Sequence, residues 1–157
     1  MSTARLQQPL SDYQIERGKP RPILQHAAVQ IKLAVQFDPQ PGFRVFSELT
    51  NGLGGAKSTP DLSIYPFETV DYTEAEGLRT VPPLVCIEII SPSQSTVELI
   101  GRSEVYFAHG VKSCWIVDPA LEAITILQPG ELRRIVDSGI ATDPATGLTV
   151  DLAKVFV

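Results

Sequence analysis

The chain has 157 residues, of which 43% are hydrophobic and 20% charged, and these proportions are typical of one globular domain with its own core. The formal net charge of −5 at pH 7 argues against a protein that binds DNA mainly through a broad basic surface, because neutralising phosphates takes lysines and arginines. The charge does not exclude a nuclease, since a metal-dependent site carries its own carboxylates and a narrow basic rim can lie on an acidic body.

The two cysteines, Cys86 and Cys114, each lie in an apolar run, which is typical of buried free thiols. No N-terminal hydrophobic segment resembles a signal peptide, and no run approaches the roughly 18 apolar residues that cross a bilayer. We therefore predict a cytoplasmic protein with reduced thiols and no membrane contact.

Residues 1–22 are polar and contain three prolines, which predicts an irregular, partly packed N-terminal arm of a single domain that spans residues 1–157. From Ile23 to Phe37 apolar residues recur at helical spacing, and the segment from Asp38 to Gly42 ends the pattern. This pattern predicts a helix with an apolar stripe made of Leu24, Ala27, Ala28, Ile31 and Val35.

The next part of the chain alternates between strand and turn signals. Phe43 to Leu49 is predicted as a strand, and Asn51 to Lys57 as a turn-rich hairpin. Asp61 to Tyr65 is a short predicted strand between two prolines, and the acidic residues 67–83 predict a surface loop.

The segment from Leu84 to Ile90 is apolar except for Glu88 and lies between two prolines, which is typical of a central strand buried on both faces. Ser95 and Glu98 form a capping box, which begins a predicted helix that runs to about His109. Gly110 then takes the usual position of a helix-ending glycine.

The remaining predicted elements are strands at Ser113 to Val117, Ile124 to Leu127 and, more weakly, Leu132 to Val136, followed by a helical turn at Asp151 to Phe156. The strand at residues 84–90 reaches the strand at residues 113–117 through a helix, and such a crossover makes the two strands parallel. The order of elements predicts an α/β domain with a mixed sheet and helices on its faces.

Two carboxylates carry most of the chemical information. Burying Glu88 inside an apolar strand costs several kcal/mol unless the carboxylate is paired or bound to metal. The alternative is a glutamate at a sheet end, exposed or paired with an arginine. Asp61 opens the short strand after Pro60, and two carboxylates on neighbouring strands are what a Mg²⁺ site needs, because Mg²⁺ takes oxygen ligands at about 2.1 Å.

The pair Pro60-Asp61, followed by Glu88-Ile89-Ile90, resembles the PD-(D/E)XK signature of restriction-endonuclease-like folds. The flanking sequence resembles one family with this signature, the Uma family of nucleases. The stretches that carry this resemblance are residues 16–20 (ERGKP), 46–49 (FSEL), 59–65 (TPDLSIY), 87–95 (IEIISPSQS) and 106–115 (YFAHGVKSCW). The resemblance implies a core of helix, three strands, helix and strand, here with extra C-terminal strands.

The signature departs from the superfamily at position 90, where Ile90 stands in place of lysine. The resemblance implies that relatives supply this lysine from the following helix, where the chain has Arg102. Lysine can lose its proton, whereas arginine stays charged, so Arg102 suits the stabilisation of phosphate charge but is a poor base. The alternative for Arg102 is an arginine that extends to solvent.

Three further residues are candidates for the same site. Glu48 precedes Asp61 on the neighbouring predicted strand, and it either reaches the pocket or is an exposed strand residue. His26 lies on the first long helix, where this superfamily often directs a polar residue at the metal, and its alternative is a structural histidine. The Ile89 carbonyl is a further candidate metal ligand beside Asp61 and Glu88.

These residues predict a metal-dependent endonuclease in which Asp61 and Glu88 hold one or two Mg²⁺ or Mn²⁺ ions, Arg102 supplies fixed positive charge, and nucleic acid, with DNA expected, is the partner. One alternative is a nuclease-fold module with a weakened site that serves in binding or as a scaffold, which the arginine and the acidic net charge favour. Another is a metal-dependent hydrolase of a small phosphate ester. Many nucleases of this fold pair so that two sites face two strands, which makes a homodimer compatible with the resemblance.

Overall fold

The computed structural model of the chain describes residue 9, residues 12–130 and residues 132–157. Its helices are α1 (Asp12–Arg17), α2 (Leu24–Phe37), α3 (Thr96–Ala108) and α4 (Leu152–Val155). Its strands are β1 (Phe43–Ser47), β2 (Asn51–Leu53), β3 (Ala56–Ser58), β4 (Leu62–Pro66), β5 (Val85–Ile89), β6 (Ser113–Asp118), β7 (Ala123–Gln128), β8 (Leu132–Val136), β9 (Ile140–Thr142) and β10 (Thr149–Asp151). In this part of the chain no helix is long and apolar enough to cross a membrane.

The main sheet has the strand order β1-β4-β5-β6-β7-β8, with β2–β3 and β9–β10 as separate hairpins. β5 and β6 are parallel, and the other neighbours in the main sheet are antiparallel. The parallel pair follows from the α3 crossover between them, because a chain that leaves one end of a strand must return to the other end to pair in parallel. The mixed sheet of an α/β fold, predicted from the order of elements, is confirmed.

The core has two layers, one on each face of the sheet. Ile87 and Trp115 face the layer that contains residues of α2 and α4, while Cys86 and Cys114 face the layer that contains residues of α3. The division follows from the strand period of two, which sends successive side chains of β5 to opposite faces. Both cysteines are free and buried, as their apolar context predicted.

The helix predicted at residues 23–37 is confirmed as α2, but the predicted stripe does not face the core. The stripe residues are all exposed: Leu24, Ala27, Ala28, Ile31 and Val35. The buried face consists of His26, Val29, Leu33 and Phe37. Because apolar residues occur around most of this helix, helical spacing fits two faces equally well, and packing selects between them. The core accepts the face with the larger Phe37, whose ring meets the Trp115 ring edge-on at 5.4 Å.

This assignment of the buried face predicts that two neighbouring truncations differ strongly in their effect on the free energy of unfolding. Leu33→Ala is expected to reduce the free energy of unfolding by about 2–5 kcal/mol, because it leaves a cavity beside fully buried neighbours. Ile31→Ala, on the face that is 59% exposed at that position, is expected to change it by less than about 0.5 kcal/mol. Urea denaturation measures both, and an equal loss for the two variants would contradict the assignment.

The N-terminal arm was predicted to be irregular, and this is wrong for residues 12–17, which form α1. Residues 1–8, 10 and 11 of the predicted arm lie outside the described part of the chain. α1 is followed by Gly18, whose φ of +67° is a left-handed conformation that glycine adopts at little cost, and whose amide donates to the Gln14 carbonyl. The turn delivers the next residue, Lys19, to the protein interior with 7% of its surface exposed.

The hairpin of β9 and β10 was not predicted. Its strands have three residues each, too few to show a period-two pattern, and the turn between them is held by the buried Asp143. The Asp143 carboxylate accepts hydrogen bonds from the Trp115 indole at 2.9 Å, from the Thr146 amide at 2.9 Å and from the Ser113 hydroxyl. Ser113 and Trp115 lie on β6, about 30 residues from Asp143 in sequence, so the contact that anchors the turn is tertiary.

Candidate functional site

Asp61 lies immediately before β4 and is 1% exposed. Its Oδ1 accepts a hydrogen bond from Lys19 Nζ at 2.6 Å, and its Oδ2 accepts from the Ile89 amide at 2.7 Å and lies 3.1 Å from His26 Nε2. Burial raises the pKa of Asp61, but the hydrogen bond from His26 and the charge of Lys19 outweigh burial and hold that pKa below its ordinary value. Asp61 is therefore an anion whose charge is well compensated.

Glu88 lies within β5 on the face that packs against α3, and it is 5% exposed. Its Oε1 accepts a hydrogen bond from the Tyr106 hydroxyl at 2.9 Å and lies 3.5 Å from Arg102 Nη1. Burial and the nearby charge of Asp61 raise the pKa of Glu88 to about 7, because Arg102, Lys19 and the Tyr106 hydroxyl offset them only in part. Near neutral pH, Glu88 is therefore a mixture of the neutral acid and a carboxylate whose negative charge is incompletely balanced.

The predicted residues are brought together on two sides of one site. Leu62 pairs with Ile87 in the antiparallel ladder, so Asp61 and Glu88 occupy the next positions along it, and the charge of one affects the pKa of the other. His26, from α2, contacts Asp61, and Arg102, from α3, contacts Glu88. The roles predicted for these residues stay predictions.

Glu48 and Ile89 reach the site through different atoms. The Glu48 amide donates to the Asp61 carbonyl at 3.0 Å, its carboxylate lies 3.8 Å from Lys19 Nζ, and its φ of +51° is unusual for a residue with a side chain. Ile89 contacts Asp61 through its amide, whereas the predicted metal ligand is its carbonyl. That ligand role also stays a prediction.

Lys19 is a site residue that sequence reasoning missed. Its buried Nζ donates to Asp61 Oδ1 and, at 3.1 Å, to the Thr59 carbonyl. The only signal in the sequence was its place in the stretch 16–20, because a lysine after a helix-ending glycine shows no periodicity that marks it as buried.

Tyr106 is a second missed residue, and it links the site to the β2–β3 hairpin. Its hydroxyl lies 2.6 Å from Ser58 Oγ as well as 2.9 Å from Glu88. Burial and the charge of Glu88 raise the pKa of Tyr106 far above its ordinary value. The hydroxyl therefore stays protonated and donates a hydrogen bond to the Glu88 carboxylate. Tyr106 therefore fixes the position of Glu88 Oε1.

The donor set fits a divalent cation. Mg²⁺ in proteins commonly takes one or two carboxylates and keeps several waters. Here two buried carboxylates occupy neighbouring strand positions, close enough that the charge of Asp61 raises the pKa of Glu88. Among the described residues no three His, Cys, Asp or Glu side chains converge into a fuller cage. Most ligands of a cation at this site would therefore be water or substrate oxygens.

A cleft of about 440 Å³ lies beside the site, between the start of α2 and the loops that follow β5 and β6. It is lined by Ile23, His26, Ile90, Ser91, Asp118 and Pro119, among others. Its position at the carboxyl ends of two parallel strands is where ligands commonly bind to open α/β sheets. His26 Nδ1 is buried and has no hydrogen-bond partner within the described part of the chain.

Comparisons with known proteins agree with this architecture. The family model described as "Putative restriction endonuclease" (Uma2) matches residues 5–153. The chain belongs to this family. A solved structure from Anabaena variabilis ATCC 29413, described as a "putative nuclease belonging to DUF820", is 25% identical with a TM-score of 0.73, over 88% of this chain and 83% of that one. No curated protein matches the chain.

Membership of the Uma2 family confirms the resemblance drawn from the sequence stretches. In this Uma2 chain the cationic side chains of the site come from outside β5. Lys19 comes from the segment before α2 and pairs with Asp61, while Arg102 comes from α3 and pairs with Glu88. Each carboxylate thus has its own cation, but the Lys19 pair is at 2.6 Å and the Arg102 pair is at 3.5 Å.

Proposed function

We propose that the chain is a metal-dependent endonuclease that hydrolyses phosphodiester bonds in nucleic acid, with Asp61 and Glu88 as the carboxylates that hold Mg²⁺ or Mn²⁺. The observation that carries the proposal is the placement of two buried carboxylates, Asp61 and Glu88, at neighbouring positions of adjacent strands. Burial and the charge of Asp61 raise the pKa of Glu88 to about 7, so a bound cation would lower the cost of ionising Glu88. Membership of a nuclease family supports nucleic acid as the substrate class.

The side chains around the carboxylates have distinct roles in this proposal. A bound divalent cation supplies Lewis-acid stabilisation of the charge that develops on the phosphate. Tyr106 holds Glu88 in place, and His26 with the Ile89 amide holds Asp61. The Arg102 side chain is one quarter exposed and lies 3.5 Å from Glu88, so it is placed to contact a phosphate while it remains near the site.

The direct test is cleavage of supercoiled plasmid, single-stranded DNA and RNA with millimolar Mn²⁺ or Mg²⁺, with EDTA as the metal-free control. We expect metal-dependent nicking that EDTA abolishes. No cleavage of any of the three substrates with either metal would overturn the proposal. Cleavage restricted to short nucleotides, added as a fourth substrate, would instead support the hydrolase of a small phosphate ester.

A nuclease-fold module with a weakened site is a second candidate, because three donors already occupy the Asp61 oxygens and an arginine replaces the mobile proton carrier that lysine would provide. The change Arg102→Lys separates the two candidates. If the wild type is inert and Arg102→Lys shows metal-dependent nicking, the site is a degenerate nuclease. Lys112→Arg, at an exposed position, is the matched control and is expected to leave the nicking rate unchanged.

A further inference from the structure

The ammonium group of Lys19 lies in a cradle of three oxygen atoms. Nζ is 2.6 Å from Asp61 Oδ1, 3.1 Å from the Thr59 carbonyl and 3.8 Å from Glu48 Oε1. Carboxylate and carbonyl oxygens are the ligands that hard divalent cations prefer. The buried ammonium group of Lys19 is therefore surrounded by oxygen atoms that would also suit a metal ion.

Asp61 has little capacity left for a second cation while Lys19 is in place. A carboxylate has about four acceptor positions on its two oxygens, and His26 and the Ile89 amide use those of Oδ2. Lys19 uses one of those on Oδ1. The remaining position on Oδ1 therefore adjoins the ammonium group directly.

A metal ion on Oδ1 would lie close to Lys19 Nζ. With a metal–oxygen distance of about 2.1 Å, the ion and Nζ would be at most about 4.7 Å apart, since Nζ is 2.6 Å from the same oxygen. Asp61 and Lys19 are both buried, so water screens the repulsion between the two cations poorly. Binding of a metal ion to Asp61 and the ion pair between Lys19 and Asp61 therefore disfavour each other.

We propose that Lys19 is a built-in counter-cation that competes with the divalent ion for Asp61, and that metal binding requires Nζ to leave Oδ1. The inference rests on the proposed metal site and identifies Lys19 as the residue that limits its affinity. The Thr59 carbonyl and the Glu48 carboxylate, which already contact or adjoin Nζ, receive the ammonium group when it leaves.

The test is a Mn²⁺ titration in which the paramagnetic resonance signal of free Mn²⁺ reports binding to the wild type, Lys19→Met, Lys19→Gln and Lys112→Met. Lys19→Met removes the charge and keeps most of the side-chain volume, and it is expected to tighten Mn²⁺ binding at least tenfold. Lys19→Gln is also neutral but can still donate to the cradle, so it preserves the fold if the methionine variant fails to fold. Lys112 is exposed, and its variant is expected to match the wild type.

The outcomes separate the inference from the function on which it rests. Affinities of Lys19→Met and Lys19→Gln that equal or fall below the wild-type affinity would overturn the competition and leave the metal site standing. An absence of bound Mn²⁺ at millimolar concentration in the wild type and both variants would overturn the metal site and the competition together. Tighter binding in both variants without nucleic-acid cleavage would support the competition and count against the nuclease.

Discussion

Glu88→Gln is expected to stabilise the metal-free protein near neutral pH and to abolish metal-dependent cleavage. The pKa of Glu88 in the folded state is about 7, above its ordinary value of 4.5, so the folded state binds more protons between these values than the unfolded chain does. Wild-type stability therefore falls as pH rises from about 4.5 to 7 and this contribution is constant above that. The shift corresponds to about 3 kcal/mol.

Urea denaturation in EDTA between pH 4 and 8 measures this effect. The stabilisation of Glu88→Gln over the wild type is expected to be greatest above pH 7 and to vanish below pH 4.5, because the wild-type carboxyl is then protonated in both states. Glu104→Gln, at an exposed position on α3, is the control and should follow the wild type. Equal stability of the wild type and Glu88→Gln across this pH range would contradict a buried Glu88 carboxyl with a raised pKa.

The same variant connects stability to function. Cleavage is expected to fall at least about a hundredfold, since loss of groups that merely support metal ligands already costs about ten- to a hundredfold. Added Mn²⁺ is expected to raise the unfolding temperature of the wild type and not that of Glu88→Gln, because a ligand stabilises only the state that binds it. Full cleavage by Glu88→Gln would remove this carboxylate from the proposed site.

Asp61→Ala is expected to be the most destabilising single change in the site. It leaves the Lys19 ammonium group buried without its closest carboxylate, and breaking one side of a buried ion pair costs about 3–5 kcal/mol. Replacing both residues, as Asp61→Ala with Lys19→Met, is expected to recover at least about 2 kcal/mol of this loss, since no unpaired charge then remains from the pair.

The four proteins of this cycle, unfolded in urea at pH 7.5 with EDTA, measure the coupling between Lys19 and Asp61. Additive losses in the double variant would contradict a direct ion pair. The pH dependence gives an independent check with the opposite sign to that of Glu88. Because the pKa of Asp61 is lowered in the folded state, its contribution is present above the ordinary value of 3.8 and is lost as pH falls through the lowered value.

The secondary structure and the acidic pair were the parts most accessible from the sequence. A run from Leu84 to Ile90 with one charged residue predicted the buried strand β5, and within it the buried carboxylate of Glu88. Ser95 is confirmed as the N-cap of α3 by the hydrogen bond from the Glu98 amide to the Ser95 hydroxyl, and this cap located the start of α3 and hence the parallel crossover. These features are local, because apolar runs, caps and turn residues act over a few positions.

The sequence did not show which face of a helix packs against the sheet. In α2, helical spacing fitted the stripe of Leu24, Ile31 and Val35, yet the opposite choice of face buries Leu33 and brings His26 to Asp61. Which face a helix buries is settled by the shape of the sheet it covers, and that shape is built from strands elsewhere in the chain.

The sequence by itself determined the fold class, the strand that carries Glu88 and the strand that follows Asp61, because these depend on local patterns of apolar and turn residues. Only the tertiary structure decided which cation neutralises which carboxylate. Lys19 and Asp61 are 42 positions apart, and Arg102 and Glu88 are 14 apart. Such contacts follow from how separate elements pack. They are specific because a buried carboxylate is costly without a hydrogen-bond donor, and only the packed structure places a donor beside it.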